Sequence, residues 1–163
     1  MRFFMSLSLL ALPLLLAPHA ARADSCALSV EANEMMQFNT QRLVVPAGCA
    51  EMQLTLRHTG SPTEAGMVHN WVLVRRADMA AVASAGVRAG LKNNYRPAAD
   101  ARVLAATPVI AGGQSATIRF PTAVLSSGEA YAFFCSTPGH NVIMRGELIV
   151  EPRQNRVAEN SSP

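Results

Sequence analysis

Apolar and polar positions alternate with a period of two along much of this chain. Met52, Leu54 and Leu56 interleave with Gln53, Thr55 and Arg57, and Ala116, Ile118 and Phe120 with Thr117 and Arg119. In an extended chain, successive side chains point to opposite faces, so this spacing predicts strands with one face buried. Leu43 with Val45, and the apolar runs at 71–74, 131–134 and 148–150, supply further strands. Between them fall turn-forming clusters at 46–48, 59–62, 112–113, 126–128 and 138–139, rich in Gly, Pro and Ser. About eight short strands without alternating long helices predict an all-β antiparallel sandwich.

One stretch has a different period. Met79, Val82, Ala83, Gly86, Val87 and Leu91 follow helical spacing, with Asp78 near the start and Gly90 near the end. Gly86 in the interior predicts a short or frayed helix. It interrupts the strand order within a long excursion, 77–101, and an excursion of that length is expected to carry structure of its own.

The two ends read differently from the middle. Arg2, an apolar run over 3–17 and the small-residue pattern Ala21-Arg22-Ala23 have the order of a secretory signal over residues 1–23. The run is shorter than the roughly 20 apolar residues that a bilayer core requires. The working domain is expected at 24–151. Residues 152–163 carry almost no apolar signal and read as a disordered tail. Without the signal, 12 basic residues stand against 11 acidic ones, a net charge of +1. No basic stripe is present, which argues against nucleic acid as a partner. No second apolar run is long enough to span a membrane, so the mature chain is expected to be soluble.

Export gives the cysteines their meaning. The mature chain has three: Cys26, Cys49 and Cys135. An oxidising compartment favours pairing, so an odd count needs an explanation. Cys26 near the mature N-terminus and Cys49 at the start of a strand are the expected disulfide pair. Cys135 is left over in an apolar setting, where a free thiol is a liability unless something occupies the sulfur.

Residues 133–144 (FFCSTPGHNVIM) place the Cys135 thiol, the His140 imidazole and the Met144 thioether around one Pro-Gly turn between strands. A thiolate and two imidazoles in a trigonal plane, with a distant methionine on the axis, form the ligand set of blue-copper sites. The second imidazole must come from elsewhere, from His58 or His69. His69 is the better candidate, because it opens an apolar strand at a strand end, whereas His58 is less tied to any apolar cluster.

Residues 67–73 (MVHNWVL) and 133–144 resemble the two copper-binding stretches of the azurins, a family of type 1 blue-copper cupredoxins. The loop spacing C-x4-H-x3-M, residues 36–39 (MQFN), the offset between Cys26 and Cys49, and the residues at 77–79 and 90–91 are also similar. The resemblance runs from about residue 25 to residue 150. It implies an eight-stranded Greek-key sandwich with one short helical flap and a Cys26–Cys49 bridge. It also implies one copper ion cycling between Cu(I) and Cu(II), held by His69, Cys135 and His140 in the plane and Met144 on the axis. Asn70 would hydrogen-bond across to the cysteine loop near Ser136. The implied role is that of a periplasmic monomeric electron carrier, not an enzyme. Its implied partners, c-type cytochromes and copper nitrite reductase or another terminal reductase, would dock on an apolar patch around His140 formed by Met36, Met67, Pro138, Gly139, Val142 and Ile143. Two readings compete. A multicopper enzyme would need histidines that the chain lacks, and a copper-delivery protein could use the same ligands.

Two positions depart from the family pattern. Azurins usually have glycine immediately before the first histidine ligand, where Val68 stands, and that residue's carbonyl points weakly at the metal. They often have phenylalanine where Thr137 stands. Both changes are expected to alter the tuning of the copper.

Overall fold

A computed structural model of the chain describes residues 26–63 and 67–152. The signal expected at 1–23, and all of the expected tail except Pro152, lie outside the described residues. Eleven strands occur in chain order: β1 (Ala27–Asn33), β2 (Gln37–Phe38), β3 (Arg42–Val45), β4 (Glu51–His58), β5 (Val68–His69), β6 (Val72–Arg75), β7 (Ala105–Ala106), β8 (Ile110–Ala111), β9 (Ser115–Pro121), β10 (Tyr131–Phe134) and β11 (Arg145–Val150). Four of them are two-residue bridges, which is why the count exceeds the expected eight. The first strand, β1, had no place among the predicted strands.

The strands form a four-stranded sheet in the order β2-β1-β4-β9, a five-stranded sheet β3-β11-β10-β6-β7, and a small pair β5-β8. The expected β-sandwich is present, but the expectation that its strands are antiparallel is corrected at two pairs. β1 runs parallel to β4, and β3 runs parallel to β11. Strand periodicity reports which face is buried but carries no information about a neighbour's direction.

Burial follows the hydrophobic pattern closely. On β4 the inward face is Met52, Leu54, Leu56 and His58. Met52, Leu54 and Leu56 pack with Trp71, Leu73, Phe120, Tyr131, Phe133 and Leu148 in the main core between the sheets. The apolar run of β10 is buried on both faces. Tyr131 and Phe133 point into the main core, while Ala132 and Phe134 join Val72, Val74, Val82 and Ala83 in a second cluster. The second cluster lies under α1 (Met79–Ala89), so β10 and residues 72–74 of β6 are apolar at every position and lose the alternation seen in β4.

The helix starts and stops where the sequence predicts, and Gly90, at φ 71°, closes it. Its buried residues are Val82, Ala83 and Gly86, whereas Val87 is exposed. The stripe is therefore narrower than predicted, because Val87 sits one 100° step away from the packed line. Gly86 has a positive reason to be glycine. A Cβ there would strike the backbone carbonyl of Tyr95, and it would come within 3.6 Å of the Ser136 Cβ. The missing side chain lets the helix lie against the backbone of Tyr95.

Cys26 and Cys49 form the expected bridge, 5.6 Å apart at Cα. It fastens the start of β1 beside β4, where the Gln53 N–H also donates to the Cys26 carbonyl at 2.8 Å. Cross-linking residues 23 apart in sequence should contribute about 3 kcal/mol by restricting the unfolded chain. The Cys26→Ala/Cys49→Ala double variant is thus expected to unfold with a stability lower by about 3 kcal/mol, measured by urea titration of the metal-free protein.

Candidate metal centre

Two segments meet at one end of the sandwich. The first contains β5, which ends at His69 after pairing with β8. The chain then leaves that pair and enters β6 at Val72, so the single apolar strand expected from His69 onward is broken at Asn70 and Trp71. The break frees the Asn70 side chain to bond sideways. The second segment is the loop between β10 and β11. Its base is closed by the Cys135 N–H donating to the Met144 carbonyl at 3.0 Å. Within it the His140 N–H donates to the Thr137 carbonyl at 3.0 Å and the Met144 N–H to the His140 carbonyl at 2.7 Å. Gly139, at φ 82°, makes the turn that aims His140 inward, in a region of backbone space that glycine enters without steric cost.

Three donor atoms converge between these segments. Cys135 Sγ lies 3.8 Å from His69 Nδ1 and 3.6 Å from His140 Nδ1, and the two nitrogens are 3.2 Å apart. The point equidistant from all three lies about 2 Å from each, the length of a metal–nitrogen bond. All three residues are buried, and among the described residues they form the cluster able to hold a metal ion.

The hydrogen bonds decide which atoms are free. His69 Nε2 faces the Asn33 carbonyl at 2.9 Å. A carbonyl can only accept, so Nε2 carries the proton and Nδ1 presents a bare lone pair. Asn33 is itself held in place by a turn in which its side-chain oxygen accepts the N–H groups of Met35 and Gln37. On the other flank, Asn70 Oδ1 accepts the Ser136 N–H at 2.8 Å, and Nδ2 donates to Ser136 Oγ and to the Asn94 carbonyl, both at 2.8 Å. Asn70 thus joins the histidine segment, the cysteine loop and the end of the helical flap, as expected for a residue orienting the ligands.

Burial sets the protonation states. His69 is pushed down to about 4, first by desolvation and then by the neighbouring His58, while its bond to Asn33 opposes the shift. Desolvation also lowers His140 and raises the Cys135 thiol. Neutral imidazoles therefore point at one another beside a buried sulfur, an arrangement that suits a soft cation and little else. Met144 is fully buried at the end of the same loop.

His58 is not among the converging donors, as expected, but it is tied to the core more closely than expected. It is buried, and its ring stacks on His69 with centroids 4.6 Å apart, while its Nδ1 accepts the Gly60 N–H. The signal was available in the alternation, since His58 continues the inward face Met52-Leu54-Leu56. Asn33 and Asn94 were not visible as site residues, because each acts here through its backbone carbonyl.

The two departures from the family pattern touch each other. Thr137 Oγ1 donates to the Val68 carbonyl at 3.0 Å.

Comparison with known proteins agrees with this geometry. The family model for copper binding proteins of the plastocyanin/azurin family matches residues 24–151. The azurin of Alcaligenes faecalis is 47% identical over 124 residues, covering 76% of this chain and 97% of that protein. The azurin of Methylobacillus flagellatus is 43% identical over 129 residues, covering 79% and 87%. Among solved structures, the azurin Az-iso2 of the methylotroph Methylomonas sp. strain J superimposes with a TM-score of 0.77 at 43% identity, covering 78% of this chain and 99% of that one.

A pH dependence follows from the buried histidine. His69 charges only near pH 4 in the folded chain but at its ordinary value of 6.5 when unfolded. The unfolded state binds the extra proton between those values, so this part of the stability is complete above 6.5 and is lost as pH falls toward 4. The urea midpoint of the metal-free protein should decline over that window, and His69→Gln should flatten the decline.

Proposed function

This chain belongs to the plastocyanin/azurin family of copper-binding proteins, and from that premise we propose that it is a periplasmic one-electron carrier. Its copper ligands are His69, Cys135 and His140 in the plane and Met144 as the weak axial donor. The observation that carries this reading is the converged triangle of Nδ1, Nδ1 and Sγ. Bound copper supplies the Cu(II)/Cu(I) couple. The residues supply a fixed, water-excluding frame. Asn33 holds the His69 ring, Asn70 holds the cysteine loop, and both ligand segments are tied before any metal arrives. A frame that does not rearrange keeps the cost of changing oxidation state small, which suits a carrier. With Met144 as the fourth donor beside the three that converge, no position is left open for a substrate, which suits catalysis poorly.

His140 comes closest to the surface of the three, with 8% of its area exposed. On the same loop Val142 is 64% and Ile143 52% exposed, and Pro138 and Gly139 are also exposed. Met36 and Met67 are half-buried. This apolar surface around the His140 ring edge fits brief docking of redox partners, with c-type cytochromes and copper nitrite reductase or another terminal reductase as the proposed classes. We assign residues 1–23 to an export signal and 24–151 to the copper domain, which works as a monomer. The Cys26–Cys49 bridge accords with an oxidising compartment. No helix among the described residues is long and apolar enough to cross a membrane.

The copper-loaded mature protein should bind one copper per chain, show an intense blue thiolate-to-copper band, and be reduced and reoxidised reversibly. Cys135→Ser should abolish the band. A colourless copper form, or copper that passes to an apo-acceptor protein faster than electrons exchange, would overturn the assignment. Asn70→Ala should weaken copper binding roughly 10- to 100-fold, the usual cost of losing a ligand-orienting contact, as read by chelator competition.

A further inference from the structure

Asn70 and Ser136 tie the two ligand segments together on one side of His69. One residue to the other side, Thr137 Oγ1 donates to the Val68 carbonyl at 3.0 Å. The two ties therefore bracket His69 from both chain directions. Thr137 is also bound into its own loop, since its carbonyl accepts the His140 N–H at 3.0 Å. Only 8% of its area is exposed, so water cannot readily replace the bond.

A threonine hydroxyl has one proton to donate. Given to Val68, it occupies the lone pair of a carbonyl next to a ligand histidine and places a positive hydrogen at the rim of the site. It thereby favours the reduced metal, whose centre carries one positive charge less. We propose that Thr137 is a positioning residue whose hydroxyl, donated to the Val68 carbonyl, locks the two ligand segments together and raises the reduction potential of the copper. The potential half of this proposal rests on the copper-carrier reading, whereas the lock does not.

The test uses the full mature chain. Thr137→Val keeps the shape and removes the hydroxyl, and Thr137→Ser keeps the hydroxyl. At the poise that half-reduces the parent protein, Thr137→Val should raise the ratio of oxidised to reduced protein about three- to tenfold, tenfold being 59 mV for a one-electron couple. Thr137→Ser should stay within about twofold of the parent, on the same constant. In the copper-free proteins, Thr137→Val should show a lower urea midpoint that Thr137→Ser restores. If Thr137→Val loads copper poorly, Thr137→Ala provides the same comparison. An unchanged potential in the hydroxyl-free variant, or a serine variant that shifts as far as the valine one, would overturn the tuning role. Equal copper-free midpoints would overturn the lock. A parent chain that forms no blue copper site would instead defeat the carrier reading and remove the tuning role with it, leaving the midpoints to judge the lock alone.

Discussion

Two imidazole nitrogens 3.2 Å apart, with a buried sulfur 3.6 and 3.8 Å from them, are three Lewis bases directed at one another. Left to themselves in water, such groups would turn toward solvent and hydrogen-bond there. Here burial holds the rings neutral and the thiol protonated, and the surrounding bonds deny each group any other direction. The Asn33 carbonyl takes the far side of His69, the Asn70 side chain takes the backbone after Cys135, and the Pro-Gly turn aims His140 inward. Most of the local architecture at this end of the sandwich serves to keep those three atoms converged. The break between β5 and β6 and the asparagine at 70 both serve that end.

The division between the two apolar clusters follows from the same need. A ligand cysteine at the end of β10 stays in place only if that strand does not shift, and β10 is packed on both faces. The main core holds Tyr131 and Phe133 from one side, while α1 and β6 hold Ala132 and Phe134 from the other. A buried mixed stack of Trp71, Phe120 and Phe133, with ring centroids 6.0 to 6.2 Å apart, fills the space behind the metal-binding end.

What could be read from the chain depended on whether the signal was local. Strand faces, turns, the helix limits and the ligand loop lie within short windows, and the alternation at 52–56 and the 135–144 spacing were legible for that reason. The bridge Cys26–Cys49 was legible through parity and resemblance. Strand direction was not, because β1 against β4 and β3 against β11 are decided by connections that no window contains. His58 lies outside the converged donors, as its reading as a neighbour without a metal role implies, but its burial follows from its register on the inward face of β4, a signal its polar type obscures. The Val68–Thr137 bond lay hidden for a different reason: each position stood out as a departure, but a contact across 69 residues has no local signature.

The parallel pairing of β3 with β11 has a consequence for timing. Val45 pairs with Val150, and Leu43 with Leu148, so the five-stranded sheet joins residues about a hundred positions apart. Its far edge cannot close until nearly the whole chain is free to fold, and loop closure over such spans makes assembly slow. The ligand loop lies just before β11. The part of the protein that does its chemistry is therefore among the last to be built, and a truncated or stalled chain would have His69 in hand with nothing yet to face it.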